Sequence, residues 1–206
     1  KAANRPGFKA IPLQAKMSVD LKSQISEKSS RNVVALLPGA KRPDEAIVYM
    51  AHWDHLGNHA HEADEHGASS ASAADDVIYN GAIDNATGVA GILEIAEAFS
   101  KQTPPPDRSL LFLAVTLEES GLLGSKYYVA HPAVPLEKTV AVINLDAMPV
   151  IGKARDMTVV GYGSSQLEDI LKGIADGQGR VLHPEATAQD GFYFRSDHFN
   201  FAKAGV

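Results

Sequence analysis

The sequence predicts an α/β domain built in three layers, a mixed and mostly parallel sheet with helices on both faces. Three observations lead there. Apolar runs at 46–51, 109–116 and 140–145 are continuous rather than alternating, the pattern of strands buried on both faces. Helix-period segments interleave with these runs, which favours a parallel sheet over a purely antiparallel one. Finally, 206 residues with 45% hydrophobic content are enough to fill one core.

Taken in order, strands are expected at 16–22, 32–37 and 46–51. No helical pattern separates these early segments, so part of them can form an antiparallel edge. The stretch 57–76, GNHAHEADEHGASSASAADD, is of low complexity and reads as a solvated loop. Its His59, His61 and His66 invite a metal reading, but no regular element fixes them. The clearest helix is 86–101, ATGVAGILEIAEAFSK, with Val89, Ile92, Leu93 and Ala96 on one face and Glu94, Glu97 and Lys101 elsewhere. QTPPPD at 102–107 is a stiff connector into the strand at 109–116. A helix over 121–130, strands over 140–145 and 157–161, and helices over 165–176 and 197–204 complete the pattern. The chain opens in KAANRPGFKAIPLQ without a start methionine and closes in FNFAKAGV, so both ends read as cuts within a longer protein.

Composition excludes several function classes. A net charge of −6 leaves no basic footprint for nucleic acid. No apolar run approaches the ~20 residues that span a bilayer, and the stretch does not open on a charged-then-apolar pattern, so any targeting segment is expected to have been removed or to lie outside it. Cysteine is absent, which removes disulfides and thiolate metal sites. Any metal must be held by His and carboxylate ligands.

In open α/β sheets, ligands sit beyond the carboxyl ends of the strands. The residues following each expected strand are therefore informative. His52-Trp53-Asp54-His55 follows 46–51, and Ile83-Asp84-Asn85 precedes the long helix. Glu118-Glu119 follows 109–116, in LFLAVTLEESGLLGS, and Asp146 follows 140–145. Each has a plain structural reading: a core histidine, a helix cap, a turn aspartate or a surface acid. Together they gather several carboxylates at one edge, where repulsion is costly without a cation. Imidazole with carboxylate and no thiolate suits zinc in a hydrolytic site with open coordination positions.

The segments AHWDHLG (51–57), YNGAIDNATGVA (79–90), TLEESGLLGS (116–125), INLDAM (143–148) and RSDHFNFAKAGV (195–206) occur in that order. Their arrangement resembles the di-zinc aminopeptidases, a family that includes glutamate carboxypeptidase and the glutaminyl cyclases. The resemblance implies the phosphorylase/hydrolase-like zinc-peptidase fold. It also implies one catalytic domain over 1–206, with 31–206 as its core, 1–30 as a lead-in and a C-terminal part missing. Carried over residue by residue, His52 and Asp146 bind one zinc, Glu119 the other, and Asp84 bridges them. Asp54 holds His52 by its other ring nitrogen, and Glu118 is the general base that takes a proton from the attacking water. The bond after Asp84 is expected to be cis.

In the family, a fifth ligand is a histidine beyond a G-V-P sequence, and this chain ends at Gly205-Val206. His198 lies in a segment that supports the site in relatives and is left out of the ligand set. The resemblance thus implies two zinc ions in a complete domain and one or none in this chain, since the pair Asp84 and Glu119 is short of a ligand. It further implies peptide substrates, aminopeptidase activity and a secreted or periplasmic location. An uncovered sheet edge would suit a homodimer. The rival readings are a carboxypeptidase, with Arg195 as the nearest cation for a terminal carboxylate, a glutaminyl cyclase, and a catalytically dead binding domain such as that of the transferrin receptor.

Overall fold

The computed structural model describes residues 7–10, 12, 14–23, 25–58 and 78–206. The histidines of the 57–76 loop, His59, His61 and His66, lie outside them. The ends of that loop meet: Asn58 and Ile78 form an antiparallel bridge, and Tyr79 N donates to Gly57 O at 2.9 Å.

Among the described residues, four strands form the main sheet in the order β1-β3-β2-β4: β1 (Val33–Leu37), β2 (Arg42–His52), β3 (Arg108–Val115) and β4 (Thr139–Asn144). β1 runs antiparallel to β3, while β2 pairs parallel with both β3 and β4. The expected antiparallel edge is therefore present, and the centre is parallel. A second, two-stranded parallel sheet joins β5 (Asp156–Val159) to β6 (Val181–Pro184), the latter a short strand the apolar pattern did not single out.

The helices are α1 (Ala86–Ser100), α2 (Leu123–Ala130), α3 (Leu167–Gly177) and α4 (His198–Lys203). Strand alternation distributes them. Ala46, Val48 and Met50 of β2 join Leu111, Leu113 and Val115 of β3 in one core with Tyr128 of α2 and Phe201 of α4. The opposite parity serves the other face, where Ala51, with Tyr49, Phe112 and Ala114 beside it, packs against Ile92, Val89 and Ile95 of α1. Both faces are covered, and that is why β2 and β3 read as continuous apolar runs.

Two expectations are corrected. Residues 16–22 form no strand; Met17, Val19 and Leu21 are exposed. An alternating segment becomes a strand only where an edge pairs with it. Leu93, assigned to the apolar face of α1, is 64% exposed, because the helix turns Gly88 and Ile92 inward instead. That rotation is fixed at Gly88, where a Cβ would collide with Asn85 Oδ1 and the Leu145 carbonyl.

Candidate active site

The site collects at the carboxyl ends of β2, β3 and β4. His52 is the last residue of β2 and is 1% exposed. Its Nδ1 lies 3.0 Å from the Asp54 backbone carbonyl, which can only accept, so Nδ1 carries the proton. The Asp54 carboxylate is farther from that nitrogen, at 3.7 Å, and accepts from Glu118 N at 3.2 Å. The expected support of His52 by Asp54 is thus made by the main chain, while the side chain holds the next strand's turn.

The other ring nitrogen, Nε2, faces two carboxylates, with Asp84 Oδ1 at 3.0 Å and Asp146 Oδ1 at 3.1 Å. Asp146 follows β4, and Ser196 Oγ, just before α4, donates to its Oδ2 at 2.6 Å. Asn144 Nδ2 donates in turn to Ser196 Oγ at 2.6 Å. Asp84 stands before α1, and the Asp84-Asn85 bond is cis, as the resemblance implies. Asn85 ties the two loops together. Its Oδ1 accepts from Gly88 N at 2.9 Å and Ala147 N at 3.2 Å, and its Nδ2 donates to Leu145 O at 2.9 Å. One side chain therefore caps α1 and fixes the chain after β4, setting Asp84 and Asp146 against each other.

The adjacent glutamates follow β3. Leu117 has φ 57°, in the left-handed region, which ends the strand geometry and frees Glu118 and Glu119 from alternating across the sheet. Glu119 Oε1 meets His55 Nδ1 at 2.7 Å. Burial pushes the Glu118 carboxyl up to about 7, with the charges of Asp197, Asp146 and Glu119 adding to the effect and His52 opposing it. Burial alone would lower His52. The hydrogen bond and charge of Asp146, the charge of Glu118 and the Asp54 carbonyl outweigh it and raise the imidazole to about 9. The His52 bond in turn lowers Asp146, against its burial.

The arrangement fits a divalent cation on its own chemistry. With Nδ1 protonated, His52 must either carry a second proton or offer the Nε2 lone pair to a metal. A single Nε2–H cannot serve both carboxylates, and the buried Asp84 Oδ1 has no hydrogen-bond partner among the described residues. Among the described residues, two groups of three side chains have ligand atoms within 4.8 Å of one another: His52, Asp84 and Asp146, and His55, Asp84 and Glu119. Asp84 belongs to both. His55, named with the HWDH segment after β2, has no role in the ligand set that the resemblance implies. Neither group includes His198, the first residue of α4, whose imidazole is lowered by burial and packs edge-on against Tyr193 at 5.1 Å. Arg195 is committed elsewhere, donating to Asp190 O at 2.6 Å and lying over the Phe192 ring. Beside the site, a cavity of about 350 Å³ opens between His55 and the first turns of α1, walled by Trp53, Val89 and Leu93 among others.

A family profile described as peptidase family M28 matches residues 32–206. A mouse protein, aminopeptidase NAALADL1, is 30% identical over 174 residues, 81% of this chain and 20% of that protein. Aminopeptidase YwaD of Bacillus subtilis is 26% identical over 211 residues, 96% of this chain and 38% of that protein. Among solved structures, a zinc aminopeptidase from Bacillus subtilis superposes with a TM-score of 0.61 at 23% identity, covering 85% of this chain and 38% of that one. The chain thus spans about a fifth to two fifths of the length of the relatives it matches.

Proposed function

The chain belongs to peptidase family M28, and from that premise we propose that it acts as a zinc-dependent aminopeptidase, removing N-terminal residues from peptides. The observation that carries the reading is the approach of His52 Nε2 to Asp84 Oδ1 and Asp146 Oδ1, at 3.0 and 3.1 Å, where the buried Asp84 oxygen has no hydrogen-bond donor among the described residues. In this reading His52, Asp84 and Asp146 hold one zinc, and Asp84 with Glu119 contributes to a second. Zinc supplies Lewis acidity, polarising a carbonyl and easing the deprotonation of water.

The protein's own groups do the rest. The Asp54 carbonyl keeps the proton on His52 Nδ1, so Nε2 remains available as a ligand. Ser196 orients Asp146 through its second oxygen. Glu118 takes the proton of the attacking water and returns it to the leaving amine. Burial, which raises the Glu118 carboxyl in the metal-free site, favours its taking up and returning a proton. The same proposal takes peptides as substrates and an extracytoplasmic setting, which fractionation of the source cells checks. No helix among the described residues is long and apolar enough to cross a membrane.

The test is a panel of fluorogenic amino-acid amides, N-blocked dipeptides and peptides with N-terminal glutamine, assayed with and without a chelator. Chelator-sensitive release from the amides alone is expected. Cleavage confined to the blocked dipeptides, cyclisation of the glutamine peptides, or no turnover by the protein in its natural length would each replace the proposal with one of its rivals.

A further inference from the structure

We propose that Asn80-Gly81 is a site of spontaneous covalent modification, where the Asn80 side-chain amide is lost and the chain is rerouted as isoaspartate. The Gly81 backbone nitrogen attacks the Asn80 side-chain carbonyl carbon, ammonia leaves, and a succinimide ring closes. Water then opens either carbonyl of that ring. One opening gives aspartate; the other gives isoaspartate, with an extra methylene in the main chain. Asparagine is among the thermolabile residues, and this route needs no reagent but water.

The reaction requires an unhindered nitrogen after the asparagine and room to close the ring. Asn80 is exposed, and its Nδ2 donates to the Ile78 carbonyl across 3.4 Å, a long hydrogen bond. Gly81 has no Cβ to shield the carbonyl, and among the described residues its N–H donates no hydrogen bond. Other asparagines are held shut. Asn85 is 2% exposed and its side chain is engaged with Leu145, Gly88 and Ala147. The nitrogen that would attack it, Ala86 N, donates to Gly81 O at 2.9 Å. Asn144 sits in β4 and donates to Ser196, and Asn200 is buried in α4.

The turn also keeps its glycine. Gly81 has φ 64°, and a Cβ there would lie 3.0 Å from the Asp84 carbonyl oxygen and 3.2 Å from His55 Cβ. Shape thus retains, next to Asn80, the residue that leaves it most reactive. Position gives the change a consequence. The Gly81 carbonyl receives the first N–H of α1, and the Tyr79 ring stands edge-on to His55 at 6.2 Å. A longer backbone and a new carboxylate at 80 disturb the segment that leads into Asp84.

The experiment reads mass and linkage. Folded protein is held at neutral and at mildly alkaline pH, sampled over days, digested and mapped with separation of aspartyl from isoaspartyl peptides. Conversion at Asn80 ahead of Asn85, Asn144 and Asn200 is expected, faster at the higher pH, with isoaspartate the larger product. Conversion led by another of these asparagines overturns the inference. So does a folded protein that stays intact at Asn80 while the same chain in urea converts there. Asn80→Gln, whose longer side chain closes a ring far more slowly, should lose the product; an unchanged mass gain in its peptide would assign the chemistry to another residue. Thermal unfolding of the separated isoaspartyl form should give a lower Tm, and an unchanged Tm would overturn its coupling to the Asp84 turn.

Discussion

Removing the Ser125 hydroxyl should destabilise the metal-free protein by an amount that grows with pH. Ser125 and Asp197 are both fully buried, and the serine Oγ donates to Asp197 Oδ1 at 2.5 Å. Asn200 Nδ2 donates to the same Oγ at 2.8 Å, so the cluster fastens α4, and with it Ser196, to α2. The other carboxylate oxygen, Asp197 Oδ2, has no hydrogen-bond partner among the described residues. Burial lifts the Asp197 carboxyl to about 6, and the Ser125 bond works against that rise. The folded value thus lies above the unfolded one, near 4. Such a group binds protons more readily when folded, so its contribution to stability falls as pH rises from about 4 to 6 and then levels off. Two units correspond to about 3 kcal/mol for keeping the charge buried at neutral pH. In Ser125→Ala the carboxyl rises further, and the decline continues above pH 6. At pH 5, where the group is mostly protonated, the variant loses a neutral hydrogen bond, about 1 kcal/mol. At pH 8 it loses a charge-assisted one, about 2–3 kcal/mol. Urea unfolding of chelator-treated protein at the two pH values measures both differences. An equal loss at pH 5 and pH 8 would refute the reasoning, because it would mean that Asp197 is not the group Ser125 serves.

Three further outcomes follow from the same geometry. Glu118→Gln should keep its zinc and lose about 10²- to 10⁴-fold in turnover; a variant of the natural-length protein with near-normal rates would end the general-base assignment. Ser196→Ala removes the donor to Asp146 Oδ2, and chelator competition should show zinc held about 10- to 100-fold more weakly. Gly88→Ala, favourable by up to ~1 kcal/mol in an ordinary helix, should here cost about 1–3 kcal/mol, since the new methyl meets Asn85 and the Leu145 carbonyl. Thermal unfolding with unchanged stability would show that the Asn85 clasp is looser than its hydrogen bonds suggest.

The sequence by itself determined the elements that repeat a local pattern. Burial of β2 and β3 on both faces is written in runs such as 109–116, and α1 carries its period over 86–101, because periodicity needs only a chain and a core. The same logic marked His52, Asp84, Glu118, Glu119 and Asp146, since parallel strands bring their carboxyl ends to one edge. It failed where a partner decides. Residues 16–22 alternate like a strand but no edge among the described residues receives them, and the rotation of α1 that exposes Leu93 is set by the contact of Gly88 with Leu145, 57 positions away. That Asp54 meets His52 through its carbonyl depends on how the chain turns after β2. The approach of His55 to Glu119 depends on Gly81 and Tyr79 closing behind the imidazole. Spacing along the chain says which residues reach an edge. Which atoms face one another there is decided only when separate loops pack, because a ligand set is a matter of ångströms between side chains with no fixed distance in sequence.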